Sequence, residues 1–387
     1  MTEAVVVHTD LPVSRDAGLA LGWQISEAMT ASPDAVILFA SPAYDHTQLL
    51  HAIKKACHPK LLIGSSSAGE FTSNVHGEGL ACAVALRSPE MQFRAGIGRG
   101  LRSNHAQAAQ DIASSFHSCL RNTLPFRSAL VLVDALAGRT EELVEHLTQL
   151  TGGTHQFFGG GSGDNGQFRE TPVFYDTEVV SDAVVALEIL SAKPLGIGVR
   201  HGWQPASQAM YVTKANGPCL ISLDDRPAVE AFQAYAHEIR QRFDPATPLP
   251  FFLHNLLGIE LGIGYKLRMP LSVNPDGSLL CAADIPEGAT VYIMGSSTNS
   301  AVEAAESATR GAIQKLCGYK PALALLFDCV ATRLKLEQEF KLELEGVQRV
   351  LGPTRYVGCN THGQIARAEG QFSAFHNCTA VVCLIPD

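Results

Sequence analysis

The stretch LLIGSSSAGE, Leu61–Glu70, is an apolar run of strand length that stops in a turn of Gly, Ala and small hydroxyl residues. It does not stand alone. AVILFAS (Ala35–Ser41) precedes it, separated by a helix-sized stretch, and LACAVAL (Leu80–Leu86) follows. The same order recurs as ALVLVDA (Ala129–Ala135), FFGGGSGD (Phe157–Asp164) and AVVALEIL (Ala183–Leu190). It recurs again as ALALLFDC (Ala322–Cys329), YVGCNTHGQ (Tyr356–Gln364) and AVVCLI (Ala380–Ile385). Repetition of this kind describes a duplicated α/β unit. It also places three polar, Gly-rich turns at equivalent strand ends, where open α/β sheets commonly hold a ligand.

A further strand and helix precede each copy. They are EAVVVHTD with a helix near Leu19–Met29, FRAGIGRG with His105–Leu120, and TVYIMGSS with Asn299–Leu316. In the last helix Ala301, Ala305, Ala308, Ala312 and Leu316 fall on one face. The trailing strands read as hairpins, with a turn signal at Val75–Gly79. The expected fold is therefore mixed α/β (α+β), built of repeated β-α-β-α-β-β units with mixed sheets.

An extra block, about Leu195–Glu287, separates the second and third copies. It carries turns at Asn216-Gly217 and Asp224-Asp225, then a helix opened by Pro227. Val229, Phe232 and Ile239 suit the apolar face of that helix, and Glu230, Gln233 and His237 the wet one. The expected organisation is residues 1–195 as two repeat units and 196–387 as a second domain. Within the latter, about 196–287 is an inserted subdomain and 288–387 the third unit.

The chain has 387 residues, 46% hydrophobic and 17% charged, as an ordinary folded protein would. A net charge of -9 without any Lys/Arg run argues against a nucleic-acid partner, which needs a basic face. No apolar run approaches the ~20 residues of a membrane helix, and the N-terminus lacks the basic start of a signal peptide. The expected location is cytoplasmic, with no membrane partner. The ten cysteines show no CxxC pair and no Cys/His cluster at zinc spacing, so they read as reduced core residues.

The turns narrow the chemistry. Gly64–Glu70 nearly forms a P-loop, but Glu70-Phe71 stands where Lys and Ser/Thr are needed, and a carboxylate repels phosphate. Glu70 with hydroxyls suits an ammonium group or, equally, a structural cap. The GxSxG spacing fails at Ser66, followed two residues on by Ala68, and at Ser162, followed by Asp164. Cys359 near His362 is the best remaining enzyme signal, so a thiol- or serine-dependent enzyme is the rival reading. Ser65, Ser66, Ser67, Glu70, Gly160, Ser162, Asp164, Asn360 and Thr361 are the candidate ligand-binding residues, expected to converge from the three turns.

These motifs resemble the FIST family, bacterial sensory domains linked to signal transduction. The resemblance rests on LFAS, on Gly64–Glu70, on Gly159–Asp164 and on His201-Gly202-Trp203. In the C-terminal half it rests on DDRPAVEAF (Asp224–Phe232), HNLLGI (His254–Ile259), DIPEGATVYIM (Asp284–Met294), LLFDCVATR (Leu325–Arg333) and Gly358–Gly363. Two positions depart from the pattern: Gln364 stands where Glu is common, and Ser65 where Cys is common. The resemblance implies a non-enzymatic sensor that binds a small, amino-acid-like ligand. A stand-alone branch of similar layout implies haem-based nitric oxide sensing that controls a histidine kinase or other signalling protein. For haem, His254 is the first axial candidate, from its apolar setting PFFLHNLLGIEL, and His201 the second. Association into a homo-oligomer is left open.

Overall fold

The computed structural model describes residues 1–117, 124–366 and 375–387. Three six-stranded sheets share one strand order. In the first, strands Glu3–Thr9, Ala81–Arg87, Ala35–Ala40 and Leu61–Ser66 lie side by side. In the second, Met91–Arg99, Ala183–Ser191, Phe126–Val133 and Gln156–Gly161 repeat the arrangement, and in the third Gly196–Arg200, Ala380–Pro386, Pro321–Cys329 and Tyr356–Thr361 do so. In every sheet the two central strands are parallel and the other pairings antiparallel.

The last two strands of each sheet come from another unit. Hairpin one, Glu70–Thr72 and His76–Gly77, adds to the third sheet beside Tyr356–Thr361. Hairpin two, Val173–Tyr175 and Glu178–Val180, adds to the first sheet beside Leu61–Ser66. Hairpin three, Gln364–Ala366 and Phe375–His376, adds to the second beside Gln156–Gly161. Each unit thus gives one hairpin and receives one, in a closed cycle.

The central strands read as continuous apolar runs because both their faces are covered. Alternate residues still divide between two cores. Ile37, Phe39, Leu130, Leu132, Leu325 and Phe327 face a single inner core shared by all three sheets. Phe39 and Phe158 both approach Phe327 there, at centroid distances of 5.6 and 6.4 Å. Val36 and Leu38 face the opposite way, onto helices Ser14–Ala28 and His46–Cys57. His105–Ser115 with Thr140–Leu150 covers the second sheet, and Thr298–Lys315 with Phe340–Leu351 the third. The expected second-unit helix ran to Leu120, and residues 118–120 lie outside the described residues. On Thr298–Lys315 the expected apolar stripe is buried at Ala305, Ala308 and Ala312, with Leu316 beyond.

One element expected in the third unit is elsewhere. Its opening strand is Gly196–Arg200, paired to Ala380–Pro386, and not the TVYIM segment. Strand Thr290–Gly295 instead joins a fourth sheet of nine strands, between Leu256–Glu260 and Met210–Asn216. The extra block is therefore threaded between the third unit's first strand and its first helix. Its core of Phe232, Phe251, Phe252, Leu256 and Ile293 packs onto Cys329, Ala331 and Cys378 of the third unit.

Candidate functional site

The hairpin cycle forces the three turns together. Gly163 N–H donates to Ser66 O at 3.0 Å, Ala68 N–H to Asn360 O at 3.0 Å, and His362 N–H to Gly161 O at 2.9 Å. Asn360 N–H and Gly161 N–H return bonds to Gly69 O (2.8 Å) and Gly363 O (2.9 Å). The turns converge, but inside the molecule. Ser65, Ser66, Ser67, Glu70, Gly160, Ser162, Asp164, Asn360 and Thr361 are all buried, and none lines the cleft that opens over turn three.

Most of these groups are occupied by the fold. Ser66 Oγ donates to Pro172 O (3.2 Å), and Ser162 Oγ to Val133 O and Thr171 O (2.7 and 2.6 Å). Thr361 Oγ1 donates to Asp328 O (3.1 Å). Asp164 accepts from the N–H groups of Phe168, Arg169 and Glu170, closing the loop that leads to hairpin two. Glu70 accepts from Ser67 Oγ (2.6 Å) and from Leu80 N–H (3.1 Å), which makes it a turn cap. Burial pushes its carboxyl up to about 7, against the bonds from Ser67 and Leu80. Gln364 holds the matching place in turn three: it donates to Thr361 Oγ1 (2.9 Å) and accepts from Thr379 N–H (3.3 Å). Ser65 Oγ and both amide atoms of Asn360 have no partner.

Cys359 and His362 do not form a pair. Cys359 lies in the inner core, and burial raises its thiol well above the ordinary range. His362 points the other way, to the floor of a cleft of about 270 Å³. Gly363 beside it has φ +87°, and a Cβ there would stand 2.4 Å from the Phe375 ring. The turn therefore needs glycine to bring His362 and Phe375 into register.

The cleft lies between the repeat body and the inserted block. Leu249, Leu253, Met269 and Leu271 form the insert's wall. Leu136, Phe168, Val330 and Leu334 form the wall of the repeat body. Phe168 stacks on the His362 ring at 4.8 Å between centroids. Neither ring nitrogen of His362 has a hydrogen-bond partner, and neither does Asn377 Oδ1. Asp164 Oδ1 stands 3.8 Å from His362 Nε2, beyond hydrogen-bond range. Burial lowers the His362 pKa, with the Asp164 charge opposing, so the ring is held toward its neutral form. Each buried polar group without a partner costs about 1–3 kcal/mol, which a bound ligand would relieve.

At the rim, Arg139 pairs with Glu142 (2.8 Å), and Glu141 takes both Lys266 and Arg268, the latter at 2.7 Å. Two cysteines line the walls. The Cys378 thiol chiefly draws Cys329 down to about 7, while burial pushes Cys281 up to about 12. Sequence reading named none of the cleft's lining residues as ligand-binding, and noted His362 only as the neighbour of Cys359.

Neither haem candidate lines the cleft. His254 is exposed, in the turn after Leu249–Phe252, while the apolar residues around it in sequence point into the insert's core. His201 has both ring nitrogens engaged. Nε2 is 3.0 Å from Tyr265 O, and Nδ1 accepts from Trp203 N–H (3.3 Å). The adjoining void of about 20 Å³ has no room for a porphyrin. Among the described residues no group of three or more His, Cys, Asp or Glu is placed to hold a metal, and no helix is long and apolar enough to cross a membrane.

Two domain profiles match this chain: the FIST N domain over residues 34–226 and the FIST C domain over residues 231–367. The chain belongs to the FIST family. FIST domains are sensory modules of signal transduction. An uncharacterized protein of Methanocaldococcus jannaschii is 22% identical over 311 residues. That match covers 75% of this chain, and this chain spans 59% of that protein's length. The crystal structure of cyanuric acid hydrolase from A. caulinodans matches across 100% of this chain and 99% of its own. Its TM-score of 0.34 at 8% identity carries no argument.

Proposed function

We propose that this FIST protein binds a small molecule in the cleft over the third turn and reports its occupancy to a partner signalling protein. The observation behind this reading is His362. It is a buried side chain, unpartnered at both ring nitrogens, at the floor of an apolar cleft. Apolar clefts with a few convergent polar groups are the usual form of small-molecule sites. The two walls belong to different bodies, so a ligand touching both shifts the population toward their closed arrangement. That arrangement is what a partner would read, and the FIST resemblance favours a histidine kinase as the partner. Haem enters no step of this reading, because neither histidine named for it lines the cleft.

A thermal-shift screen of neutral and charged small molecules tests this function, run on the wild type and on Ala282→Trp. Ala282 is an exposed lining residue, so the indole fills the mouth without disturbing the core. Hits should raise the Tm of the wild type and lose that effect in the variant. Hits that stabilise both proteins equally would place the ligand elsewhere.

A further inference from the structure

We propose that the cleft takes a small, flat aromatic molecule that carries an N–H donor and no negative charge. The proposal rests on the cleft being the ligand site and adds the chemistry of its occupant.

The floor supplies acceptors. The neutral His362 ring has one nitrogen lone pair and one N–H to offer, and Asn377 Oδ1 is a second acceptor without a donor, so acceptors outnumber donors at the floor. Asn377 Nδ2 is already committed to His376 O at 3.3 Å. A ligand with N–H at its inner end answers the acceptors, whereas one with only acceptors meets the ring N–H alone and leaves both acceptors unpaired. The walls supply apolar and flat surface. Phe168 already stacks on His362, and Phe375 stands beside Gly363. A planar ring matches those faces better than a branched chain.

The charges exclude an anion. The cations at the rim are matched by Glu142 and Glu141, as described above. The helix Thr140–Leu150 begins at the cleft, but Glu141 and Glu142 stand in its first turn and already answer its dipole. Asp284, exposed at the mouth, has no ion-pair partner among the described residues. A carboxylate or phosphate would find no uncommitted positive group, whereas an outward ammonium would find Asp284.

Four close analogues separate these statements by calorimetric titration of the full chain: indole, benzofuran, tryptamine and indole-3-acetate. Indole should bind about tenfold or more tightly than benzofuran, which is near its shape but lacks the N–H. Tryptamine should match or exceed indole, and indole-3-acetate should bind about tenfold or more weakly than tryptamine. His362→Phe should erase the difference between indole and benzofuran. Equal affinities for indole and benzofuran in the wild type, a preference for indole-3-acetate, or no binding by any of the four would each overturn the proposal.

Trifluorotoluene, followed by fluorine NMR, keeps the two levels apart. If it binds the wild type and not Ala282→Trp while the analogue series fails, the cleft stands and the assigned chemistry is wrong. If it binds both proteins equally, the cleft itself is not the site.

Discussion

Turn one and turn three occupy equivalent places in a threefold arrangement, yet turn three lines the cleft described above and no residue of turn one does. In turn one, Ser67 and Leu80 close over Glu70, and Gly69-Glu70 runs straight into hairpin one. In turn three, Gln364 plays the part of Glu70 without a charge, and His362 stands where Ala68 stands in turn one. The inserted block lies against turn three and leaves a cleft over His362. Repetition made the scaffold, and local departures from repetition made the site.

The largest effect should come from the backbone of turn three. Gly363→Ala places a Cβ against the Phe375 ring at a positive φ, and is expected to cost about 2–5 kcal/mol in urea unfolding. A cost near zero would mean that turn three is looser than described.

Glu70 and Gln364 can be made alike. The Glu70 carboxyl is raised to about 7 in the fold from an ordinary value of 4.5. Its contribution to stability is therefore fully present below about pH 4.5, and is lost as pH rises through about 7. Glu70→Gln should stabilise the protein by up to about 3 kcal/mol at pH 8 and change little at pH 5. Parallel stability curves for the two proteins between those values would break the comparison.

A smaller contrast concerns the polar groups themselves. Ser67→Ala removes a satisfied bond to Glu70 and should cost about 1–2 kcal/mol. His362→Phe removes an unsatisfied ring and should be neutral or stabilising by about 1 kcal/mol, while abolishing recognition of an N–H donor. The smallest effect is a ratio of rates. Among the cleft thiols, Cys329 should react with iodoacetamide at pH 7.5 about tenfold or more faster than Cys281, read by peptide mass mapping.

The repeat was legible because strand-length apolar runs and helix-spaced alanines report burial directly. Leu61–Ser66 and Thr298–Lys315 were visible for that reason. The exchange of hairpins was not. Short segments such as Glu70–Thr72 form strands, but nothing in their residues specifies which sheet edge receives them. Thr290–Gly295 was placed in the wrong sheet because it and Gly196–Arg200 are both short apolar strands ahead of the same helix. The polar groups of the turns read as ligand-binding because sequence does not show that Ser66 and Ser162 would donate to Pro172 O and Thr171 O, or that Leu80 N–H would donate to Glu70. His254 was read as sheltered because its neighbours in sequence are apolar, yet those neighbours turn inward and leave it exposed. The cleft was beyond sequence because Leu136, Leu253, Met269, Leu334 and His362 meet only after folding.

The proposed recognition turns on His362, the turn-three side chain that reaches the cleft with both ring nitrogens unpartnered. Nitrogen NMR of histidine-labelled protein, titrated with indole, measures that side chain directly. A ring nitrogen of His362 should shift as indole binds, while the His201 and His254 resonances stay in place. Saturable indole binding that leaves His362 unmoved would contradict it.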